Sequence, residues 1–454
     1  MSTLTHIQTS ETEKPSSFDA HHPPSKKLLS DCVHCGFCLP ACPTYVLWGE
    51  EMDSPRGRIY MMAKASQGEA PLDDHFREHM DNCLGCMACM TACPSGVQYN
   101  KLIEDTRAQV ERNIPRSAQD SLFRKLLFAV FPYASRLRML ALPLQAYQRL
   151  GLQRMVRSSG LLSLLPQKLA TMESLSPTVP KSLSQQLPAF TPAEGNVERK
   201  VRVGMLEGCV QQVFFQHVND ATRRVLAAEG YDVVIPKDNG CCGALMVHTG
   251  EEEGARAFAR RMIAAFEAAD VEYIVINAAG CGSTMKEYGY LLADDPIWSE
   301  RAKAFAAKCR DISEVLLLHA PRQTRHPLRL RVAYQDACHL RHAQGIHAEP
   351  RTLLRGIPEL DLVDVAEANL CCGSAGVYNL LHPQPAQELG DRKVANLVAT
   401  KAKALISANP GCLLQLQAGL RRNGLSEMPT FHMVELIDAS IRGITANELV
   451  QRKN

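Results

Sequence analysis

Two stretches of the chain carry four cysteines each at identical spacing. Residues 32–43, CVHCGFCLPACP, and residues 83–94, CLGCMACMTACP, both read C-x2-C-x2-C-x3-C-P. Three thiols two residues apart must lie on a tight loop, and the proline after the fourth cysteine turns the chain away. Because so many thiols are held close together, the two runs constrain the fold more than any other feature and indicate a metal site.

This spacing is typical of ferredoxins with two [4Fe-4S] clusters, in which the fourth cysteine of each run ligates the other cluster. Zinc is the alternative, but zinc sites pair two C-x2-4-C knuckles or add histidines, which fits these runs poorly. The predicted ligands are Cys32, Cys35, Cys38 and Cys93 for the first cluster, and Cys83, Cys86, Cys89 and Cys42 for the second.

Composition narrows the class of protein further. Basic side chains number 50 and acidic ones 48, so the chain lacks the positive surplus typical of nucleic-acid-binding proteins. Residues 1–26 have no apolar segment of the kind found in signal peptides, and we interpret them as the disordered tail of a cytoplasmic protein. In the cytosol, 17 clustered cysteines are expected to be metal ligands or redox thiols rather than disulfides.

The segment between the two cysteine runs has helical patterns and little strand character. It resembles the α-helical ferredoxin domain of the iron–sulfur subunits of fumarate reductase and succinate dehydrogenase, which implies such a domain over residues 27–115. The sequence DSPRGR places Arg56 and Arg58 near the first cluster, where cations could raise its potential or dock an acidic partner. A helix cap with solvent-exposed charges is the alternative.

Residues 116–200 are predicted to form a basic helical connector and a linker. No apolar run reaches the roughly 20 residues of a membrane-spanning helix. Residues 121–172 hold Lys and Arg but no Asp or Glu, which predicts short basic amphipathic helices. Such helices either lie on an anionic membrane surface or pack their apolar faces on the rest of the chain. Residues 173–200, rich in Ser, Pro and Gln, indicate a linker.

Beyond residue 200 the chain repeats itself. In residues 201–325, β-rich runs end at Cys209, at the adjacent Cys241 and Cys242, and at Cys281. The same order returns in residues 326–454, with nearly the same number of residues between the cysteines. The cysteines of the second repeat are Cys338, Cys371, Cys372 and Cys412.

Strands that alternate with helices predict parallel βαβ units, in which the carboxyl ends of the strands share one edge of the sheet. The four cysteines of each repeat are therefore expected to converge at that edge, where open α/β sheets bind ligands. The predicted fold class is α+β and multidomain: an α-helical ferredoxin domain with two [4Fe-4S] sites, followed by two tandem α/β repeats with parallel strands.

Each C…CCG…C unit resembles the CCG domain of heterodisulfide reductase catalytic subunits, where such cysteines hold non-cubane iron–sulfur clusters. That motif ends in C-x-x-C, whereas each repeat here ends in one cysteine. A simpler cluster, a single metal ion and a thiol redox pair therefore remain open for the repeats. Gly243 and Gly373 are predicted to let the backbone turn closely around a bulky group. Cys309 lies outside both patterns and is predicted to be an ordinary buried thiol.

The chain has no G-x-G-x-x-G after a strand and no Walker A sequence. Iron–sulfur clusters transfer single electrons, whereas oxidation of an organic substrate generally removes two. The two-electron chemistry is therefore expected on a partner, a flavoprotein, and no catalytic residue is predicted on this chain.

The order of the motifs resembles the iron–sulfur subunits of bacterial glycolate oxidase over roughly residues 28–440. That resemblance implies partner subunits that carry FAD and oxidise glycolate to glyoxylate, while this chain relays the electrons to a respiratory acceptor such as quinone, with a peripheral contact to the inner membrane. One departure is YQDACHL, where many relatives have proline beside the cysteine. The motifs are CVHCGFC, CPTY, PRGRIY, CPSGV, MLEGC, GCCGA, GCG, KEYG and LCCGSAG.

Two other functions stay open from the sequence. Related subunits for lactate oxidation and for anaerobic glycerol-3-phosphate oxidation share the ferredoxin and CCG motifs. A metal or thiol redox sensor would use the same cysteines without a flavoprotein partner. The identity of a copurifying partner, and the substrate that reduces the clusters, would separate these possibilities.

Overall fold

The structure is a computed structural model that describes residues 14–183, 186–195 and 201–453. Of the predicted disordered tail, residues 1–13 lie outside the described residues. The part that follows folds as a helical N-terminal region, a helical connector and two α/β repeats. The predicted fold class is confirmed.

The N-terminal region is helical, as predicted from the sequence between the cysteine runs. Ser54 caps the longest helix of the insert by accepting a hydrogen bond from the Gly57 amide, with Pro55 in the first turn. The apolar faces of these helices meet in one buried cluster. The helices are α1 (Lys26–Ser30), α2 (Pro43–Trp48), α3 (Pro55–Ser66), α4 (Asp74–Asn82), α5 (Ala88–Ala92) and α6 (Tyr99–Asn113), with a 3-10 turn at Glu51–Asp53.

Residues 14–25, which we call the N-terminal strap, are ordered against α6, contrary to the predicted disorder. The Phe18 ring is buried and packs edge-on against Phe76. The Asp19 carboxylate accepts hydrogen bonds from Gln109 Nε2 at 2.9 Å and from Arg112 Nε at 3.1 Å. The prediction of disorder was wrong because it was based on composition, and a single buried aromatic residue and a single carboxylate hardly change the composition of the segment.

The connector consists of short helices, as predicted. Among the described residues no single helix is long and apolar enough to cross a membrane; α7 and α8 together meet that test, but they are bent by 102° at the break between them. The bounds are α7 (Ala118–Val130), α8 (Ala134–Arg149), α9 (Leu152–Ser158) and α10 (Gln167–Ser174), with a 3-10 turn at Leu161–Leu164.

The first repeat is a five-stranded sheet of order β1-β3-β2-β4-β5, parallel except for β1. Strand β1 comes from the predicted linker, and β5 was not predicted. The strands are β1 (Phe190–Thr191), β2 (Val201–Met205), β3 (Tyr231–Val234), β4 (Tyr273–Ile276) and β5 (Cys309–Asp311); the helices are α11 (Gln211–Phe214), α12 (Gln216–Ala228), α13 (Ala244–Val247), α14 (Glu252–Glu267), α15 (Ala279–Lys286), α16 (Tyr288–Leu291), α17 (Ser299–Lys308) and α18 (Ile312–Leu316).

The second repeat has the same parallel topology, with strand order β7-β6-β8-β9. A π-helical turn, His339–Ala343, directly follows Cys338. The strands are β6 (Leu330–Tyr334), β7 (Leu360–Asp364), β8 (Ala404–Ser407) and β9 (Thr430–His432); the helices are α19 (Ala348–Arg355), α20 (Tyr378–Leu381), α21 (Pro383–Ala399), α22 (Pro410–Arg422), α23 (Met433–Ile441) and α24 (Ala446–Gln451).

The two repeats share one apolar core. Helix α12 of the first repeat packs against α23 of the second, and fully buried side chains of both, such as Val225 and Leu436, belong to a single cluster. Arg224 also pairs with Asp438 across this contact at 2.6 Å. A shared core fixes the two sheets relative to each other, and with them the cysteines at their edges.

Candidate functional site

The first ferredoxin tetrad comprises Cys32, Cys35, Cys38 and Cys93, which line a common pocket. Burial raises the pKa of Cys32, and the charges of Cys93 and Cys35 raise it further. Burial also raises the pKa of Cys38 to about 11. Cys35 is exposed, so this tetrad reaches the surface of the protein.

The second ferredoxin tetrad comprises Cys42, Cys83, Cys86 and Cys89, and all four side chains are buried. Burial raises the pKa of Cys89 well above its usual value, and the nearby charges of Cys86, Cys42 and Cys83 add to the effect. The fourth cysteine of each run thus lies with the first three of the other run. This arrangement fits the crossed ligand sets, which stay a prediction.

Two arginines face the second ferredoxin tetrad. Burial by itself raises the pKa of Cys83, but the Arg58 and Arg107 guanidinium groups outweigh it, and the net pKa of Cys83 lies below the usual value. The Gly85 amide donates a hydrogen bond to Cys83 Sγ at 3.3 Å. A buried site with fixed cations and an amide donor suits an anionic metal–thiolate group.

The two arginines of DSPRGR have separate positions. Arg56 lies beside the first ferredoxin tetrad, as predicted, where Nη1 donates to the His34 carbonyl at 3.1 Å. Arg58 is fully buried beside the second tetrad instead, where it pairs with Asp53 at 2.9 Å. The prediction that placed both near the first cluster is therefore wrong for Arg58, because α3 directs these two side chains toward different tetrads.

The first repeat tetrad comprises Cys209, Cys241, Cys242 and Cys281. These residues follow β2, β3 and β4, whose carboxyl ends meet at one edge of the sheet. Hydrogen bonds from the Cys241 and Cys281 thiols hold the pKa of Cys242 well below its usual value. The four thiols converge as predicted, and this tetrad has the donor set of a metal site.

The second repeat tetrad comprises Cys338, Cys371, Cys372 and Cys412. The Sγ atoms of Cys338 and Cys371 are 3.9 Å apart. Hydrogen bonds from Cys371 and Cys412 hold the pKa of Cys372 well below its usual value, and Asn409 Nδ2 donates to Cys412 Sγ at 3.4 Å. The thiols converge as in the first repeat.

A buried lysine distinguishes the second repeat tetrad from the first. Lys393 on α21 is almost fully buried and donates a hydrogen bond to the Glu367 carbonyl. Burial lowers its pKa to about 8, and the nearby charges of Cys372 and Cys371 oppose that shift. The residue at the same distance after the first CC pair is Ile263. The second repeat tetrad therefore has a buried cation, at a position where the first repeat has an apolar residue, to offset the negative charge of a metal–thiolate group.

The second repeat is joined directly to the second ferredoxin tetrad. His339 Nε2 lies 2.8 Å from the carbonyl oxygen of Gly85, and His342 Nδ1 lies 2.7 Å from Thr91 Oγ1. Burial, followed by the charge of Cys338, raises the pKa of Cys86 well above its usual value. Cys86 and Cys371 also belong to one apolar cluster. The two tetrads are thus neighbours across this interface.

Gly243 and Gly373 follow the CC pairs with φ of +80° and +87°. A Cβ on Gly373 would overlap the backbone of Ala386, so Gly373→Ala adds a clash to the strain of a left-handed backbone. We expect it to lower the melting temperature of the full chain clearly. Gly345, with φ of +72° and open space around it, is the matched control: Gly345→Ala should cost only the strain, about 1 kcal/mol. Equal losses for the two variants would contradict the close packing at Gly373.

Sequence reasoning missed the residues that join the tetrads. His339 follows Cys338 directly, which was a usable signal, but the partners of His342 and Arg107 lie in other parts of the fold and left no local pattern. Lys393 sits in an ordinary helical pattern. Cys309, in contrast, is fully buried in β5, where its thiol donates a hydrogen bond to the Phe305 carbonyl; it shares an apolar cluster with Cys242 but is not one of the predicted ligands.

Family models match most of the chain. A "4Fe-4S dicluster domain" matches residues 28–97 and a "Cysteine-rich domain" matches residues 203–286 and 332–417. The "Glycolate oxidase iron-sulfur subunit, linker region" matches residues 119–176, within the connector.

Three relatives show how far the similarity extends. The chain is 42% identical over 415 residues to the probable glycolate oxidase iron-sulfur subunit of Bacillus subtilis, covering 90% of this chain and 93% of that protein. It is 34% identical to the glycolate oxidase iron-sulfur subunit of Escherichia coli, covering 91% and 94%. Lactate utilization protein A of an Exiguobacterium strain is 29% identical, covering 53% of this chain and 98% of that protein.

A helical dicluster domain that adjoins two cysteine-rich repeats defines the class, an iron–sulfur protein with an electron-transfer role. Identity of 42% and 34% over nine-tenths of the chain identifies the member within this class. The chain belongs to the family of glycolate oxidase iron–sulfur subunits.

Proposed function

We propose that this chain receives electrons from partner subunits that carry FAD and oxidise glycolate to glyoxylate, and passes them to a quinone. The names of the relatives from Bacillus subtilis and Escherichia coli support a place in a glycolate oxidase complex. The observation that carries the relay is that Cys86 of the second ferredoxin tetrad lies in an apolar cluster against which Cys338 of the second repeat tetrad packs. Two thiol sites that are neighbours across a domain interface are well placed for electron transfer from one site to the other.

The eight ferredoxin cysteines are the proposed ligands of two [4Fe-4S] clusters, in the crossed sets given above. When bound, such clusters supply single-electron transfer. Arg58, Arg107 and the Gly85 amide offset negative charge at Cys83 and lower the pKa of its thiol. Removal of these donors is expected to lower the reduction potential at that site.

We propose a further iron–sulfur cluster or metal ion on the second repeat tetrad. Lys393 supports this choice, because burial of four thiolates without a cation is strongly unfavourable. The first repeat tetrad has no such cation at the matching position, and its occupant remains a cluster, a metal ion or a thiol pair. Glycolate oxidation stays on the flavoprotein, so we assign no residue of this chain to that reaction.

The relay is tested by anaerobic copurification of the chain with its flavoprotein partners. Glycolate should bleach the visible absorbance of the clusters and produce their EPR signals only when those partners are present. Faster reduction by lactate or by glycerol-3-phosphate would favour the alternative dehydrogenases. A chain without a flavoprotein partner, and without reduction by any of these substrates, would contradict the relay and favour a redox sensor.

We also propose that the connector lies on the anionic surface of the inner membrane. More than half of the large apolar side chains that the described residues expose are in this segment, which contains no Asp or Glu between residues 121 and 172. Exposed basic residues such as Lys125 and Arg154 accompany them. The exposed apolar residues are Leu122, Leu126, Met139, Leu140, Leu142, Leu150, Leu152, Met155, Leu161, Leu164, Leu165, Leu169 and Met172.

The membrane contact predicts a specific loss of vesicle binding. Leu140 and Leu142 are 56% and 59% exposed on α8, so Leu140→Gln with Leu142→Gln should leave folding unchanged. Cosedimentation of the full chain with phosphatidylglycerol vesicles should fall at least about tenfold, because two apolar side chains no longer enter the bilayer interface.

Ile297 provides the matched control, since it is 70% exposed but lies outside the connector. Ile297→Gln should bind vesicles like the unaltered chain. Full vesicle binding by the double variant, or equal binding to uncharged phosphatidylcholine vesicles, would contradict the proposed surface. Binding of the flavoprotein partners through the connector would appear instead as loss of copurification.

A further inference from the structure

A cavity of about 230 Å3 lies where α6, the first repeat and the π-helical turn of the second repeat meet. Asn100, Glu104 and Asp105 of α6 form one wall, and His22 of the N-terminal strap forms part of another. His22 is held there by Glu252, whose Oε1 atom is 2.6 Å from His22 Nδ1. The ordered strap thus helps to enclose the cavity.

The cavity adjoins three of the four tetrads. Met87, which lines it, lies between Cys86 and Cys89 of the second ferredoxin tetrad. Ser283 follows Cys281 of the first repeat tetrad by two residues, and His339 directly follows Cys338 of the second. A molecule in this cavity is therefore close to the sites through which the proposed relay runs.

The wall of the cavity holds carboxyl groups that ionise with difficulty. Burial, with the charges of Glu287 and Asp105, raises the pKa of Glu104 to about 8, against a smaller opposing effect of Arg107. Burial also raises the pKa of Glu287. Glu104 is accordingly a neutral carboxylic acid at pH 7, able to donate a hydrogen bond or a proton.

Several of these polar groups have no partner within the protein. Among the described residues, nothing hydrogen-bonds to the carboxyl groups of Glu104 or Glu287, and the buried atoms His248 Nε2 and Asn100 Oδ1 also lack a partner. Buried polar groups are nearly always hydrogen-bonded, so the two buried unpartnered atoms, beside two carboxyl groups without hydrogen-bond partners, indicate a polar ligand.

We propose that this cavity is the site where a quinone is bound and reduced, with Glu104 as its proton donor. The inference rests on the proposed function, which supplies the electrons. Reduction of a quinone to the quinol takes two electrons and two protons: both carbonyl groups become hydroxyl groups as two O–H bonds form. The electrons arrive one at a time from the iron–sulfur groups of the relay. One proton leaves the carboxyl group of Glu104, which is reprotonated from solvent, and the other is taken up from solvent water.

The size and the lining of the cavity fit this ligand class. Sites for drug-sized ligands enclose about 300 to 1,000 Å3, so a cavity of about 230 Å3 suits a single ring and leaves an isoprenoid tail outside. The apolar side chains of Met87, Val247 and Leu291 can contact the ring. The carboxyl group of Glu104 and the imidazole of His248 line the same cavity and can contact the carbonyl oxygens of the ring.

The variant Glu104→Gln separates proton donation from binding, because the amide keeps the shape and a hydrogen-bond donor but has no acidic proton. The full chain with its clusters is reduced with dithionite, and re-oxidation by decylubiquinone and by ferricyanide is followed by stopped-flow absorbance. We expect Glu104→Gln to slow re-oxidation by decylubiquinone about 100-fold, while decylubiquinone affinity, measured by calorimetry, changes little. Re-oxidation by ferricyanide, which needs no proton and can reach the exposed first tetrad, should not change.

Glu253→Gln is the matched control, since Glu253 is exposed on α14 and does not line the cavity. It should leave both rates unchanged. In the unaltered chain the decylubiquinone rate should fall as the pH rises above about 8 and Glu104 ionises, and this dependence should be absent in Glu104→Gln. The other titratable groups that face the cavity are His22, Asp105, His248, Glu252, Glu287, Tyr290, Asp294 and His339.

Three outcomes would overturn the site: no effect of Glu104→Gln on decylubiquinone, an equal slowing of both acceptors, or an equal effect of Glu253→Gln. Because dithionite replaces the flavoprotein and glycolate, this experiment does not depend on the source of the electrons. If the site behaves as expected but glycolate fails to reduce the complex, only the proposed electron donor is wrong.

Discussion

Replacement of Cys86 by serine is expected to abolish electron transfer through the chain. Cys86 is buried at the interface between the second ferredoxin tetrad and Cys338, so loss of its thiolate removes a proposed ligand at the point where the two sites adjoin. A serine hydroxyl is a much weaker ligand for iron than a thiolate. Iron content should fall by about four atoms per chain, and the quinone-linked activity of the complex should fall by more than about 100-fold.

Cys309 provides the control for Cys86. It is also buried, but it lies in β5, bonds to the Phe305 carbonyl and belongs to none of the four tetrads. Cys309→Ser should retain the iron, the EPR signals and the activity, with some loss of thermal stability from a buried hydroxyl. Normal iron content and turnover in Cys86→Ser, or an equal loss in Cys309→Ser, would contradict the assignment of the second ferredoxin tetrad.

Arg58→Leu is expected to have the second large effect, on both stability and potential. The Arg58 side chain is fully buried, its Nε donates to the His79 carbonyl at 2.6 Å, and its Nη2 pairs with Asp53 at 2.9 Å. Without the guanidinium group the buried Asp53 carboxylate loses its charged partner, which costs about 3 to 5 kcal/mol in the free energy of unfolding. The reduction potential at the adjacent tetrad should fall, because a cation beside Cys83 is lost.

The matched variant is Arg56→Leu, two residues away on the same helix. Arg56 is partly exposed and pairs with Glu51 at 2.6 Å near the surface, where ion pairs contribute little to stability. Chemical unfolding and a redox titration of both variants test the difference. If Arg58→Leu unfolds like the unaltered chain and keeps the potential of the second site, Arg58 is neither a structural nor an electrostatic partner of that tetrad.

Much of the fold could be predicted because local sequence patterns indicate its strands and helices. Six β-rich runs, each ending at a cysteine or a CC pair, became the six strands β2, β3, β4, β6, β7 and β8. Since the carboxyl ends of parallel strands share an edge, convergence of Cys209, Cys241, Cys242 and Cys281 followed from the order of the elements. The helical insert between the cysteine runs was likewise predictable from its periodicity.

What could not be predicted depends on contacts between distant parts of the chain. Strands β5 and β9 have three residues each, too few for an alternating pattern, and β1 pairs only because it reaches the edge of β3. The order of the N-terminal strap depends on the packing of Phe18 against Phe76 of α4 and on the hydrogen bonds of Asp19 with α6. Arg58 is buried and Arg56 is partly exposed, although both occur in the same motif. Burial depends on the whole fold, so the motif alone could not distinguish the two residues.

The measurement that tests the central claim most directly is iron and acid-labile sulfide analysis of the anaerobically purified chain, together with EPR spectra of the reduced protein. The account predicts a coloured protein with about eight irons and eight sulfides from the ferredoxin tetrads, rising to about twelve if the second repeat tetrad holds a further [4Fe-4S] cluster. A colourless protein that contains zinc and no sulfide would contradict it.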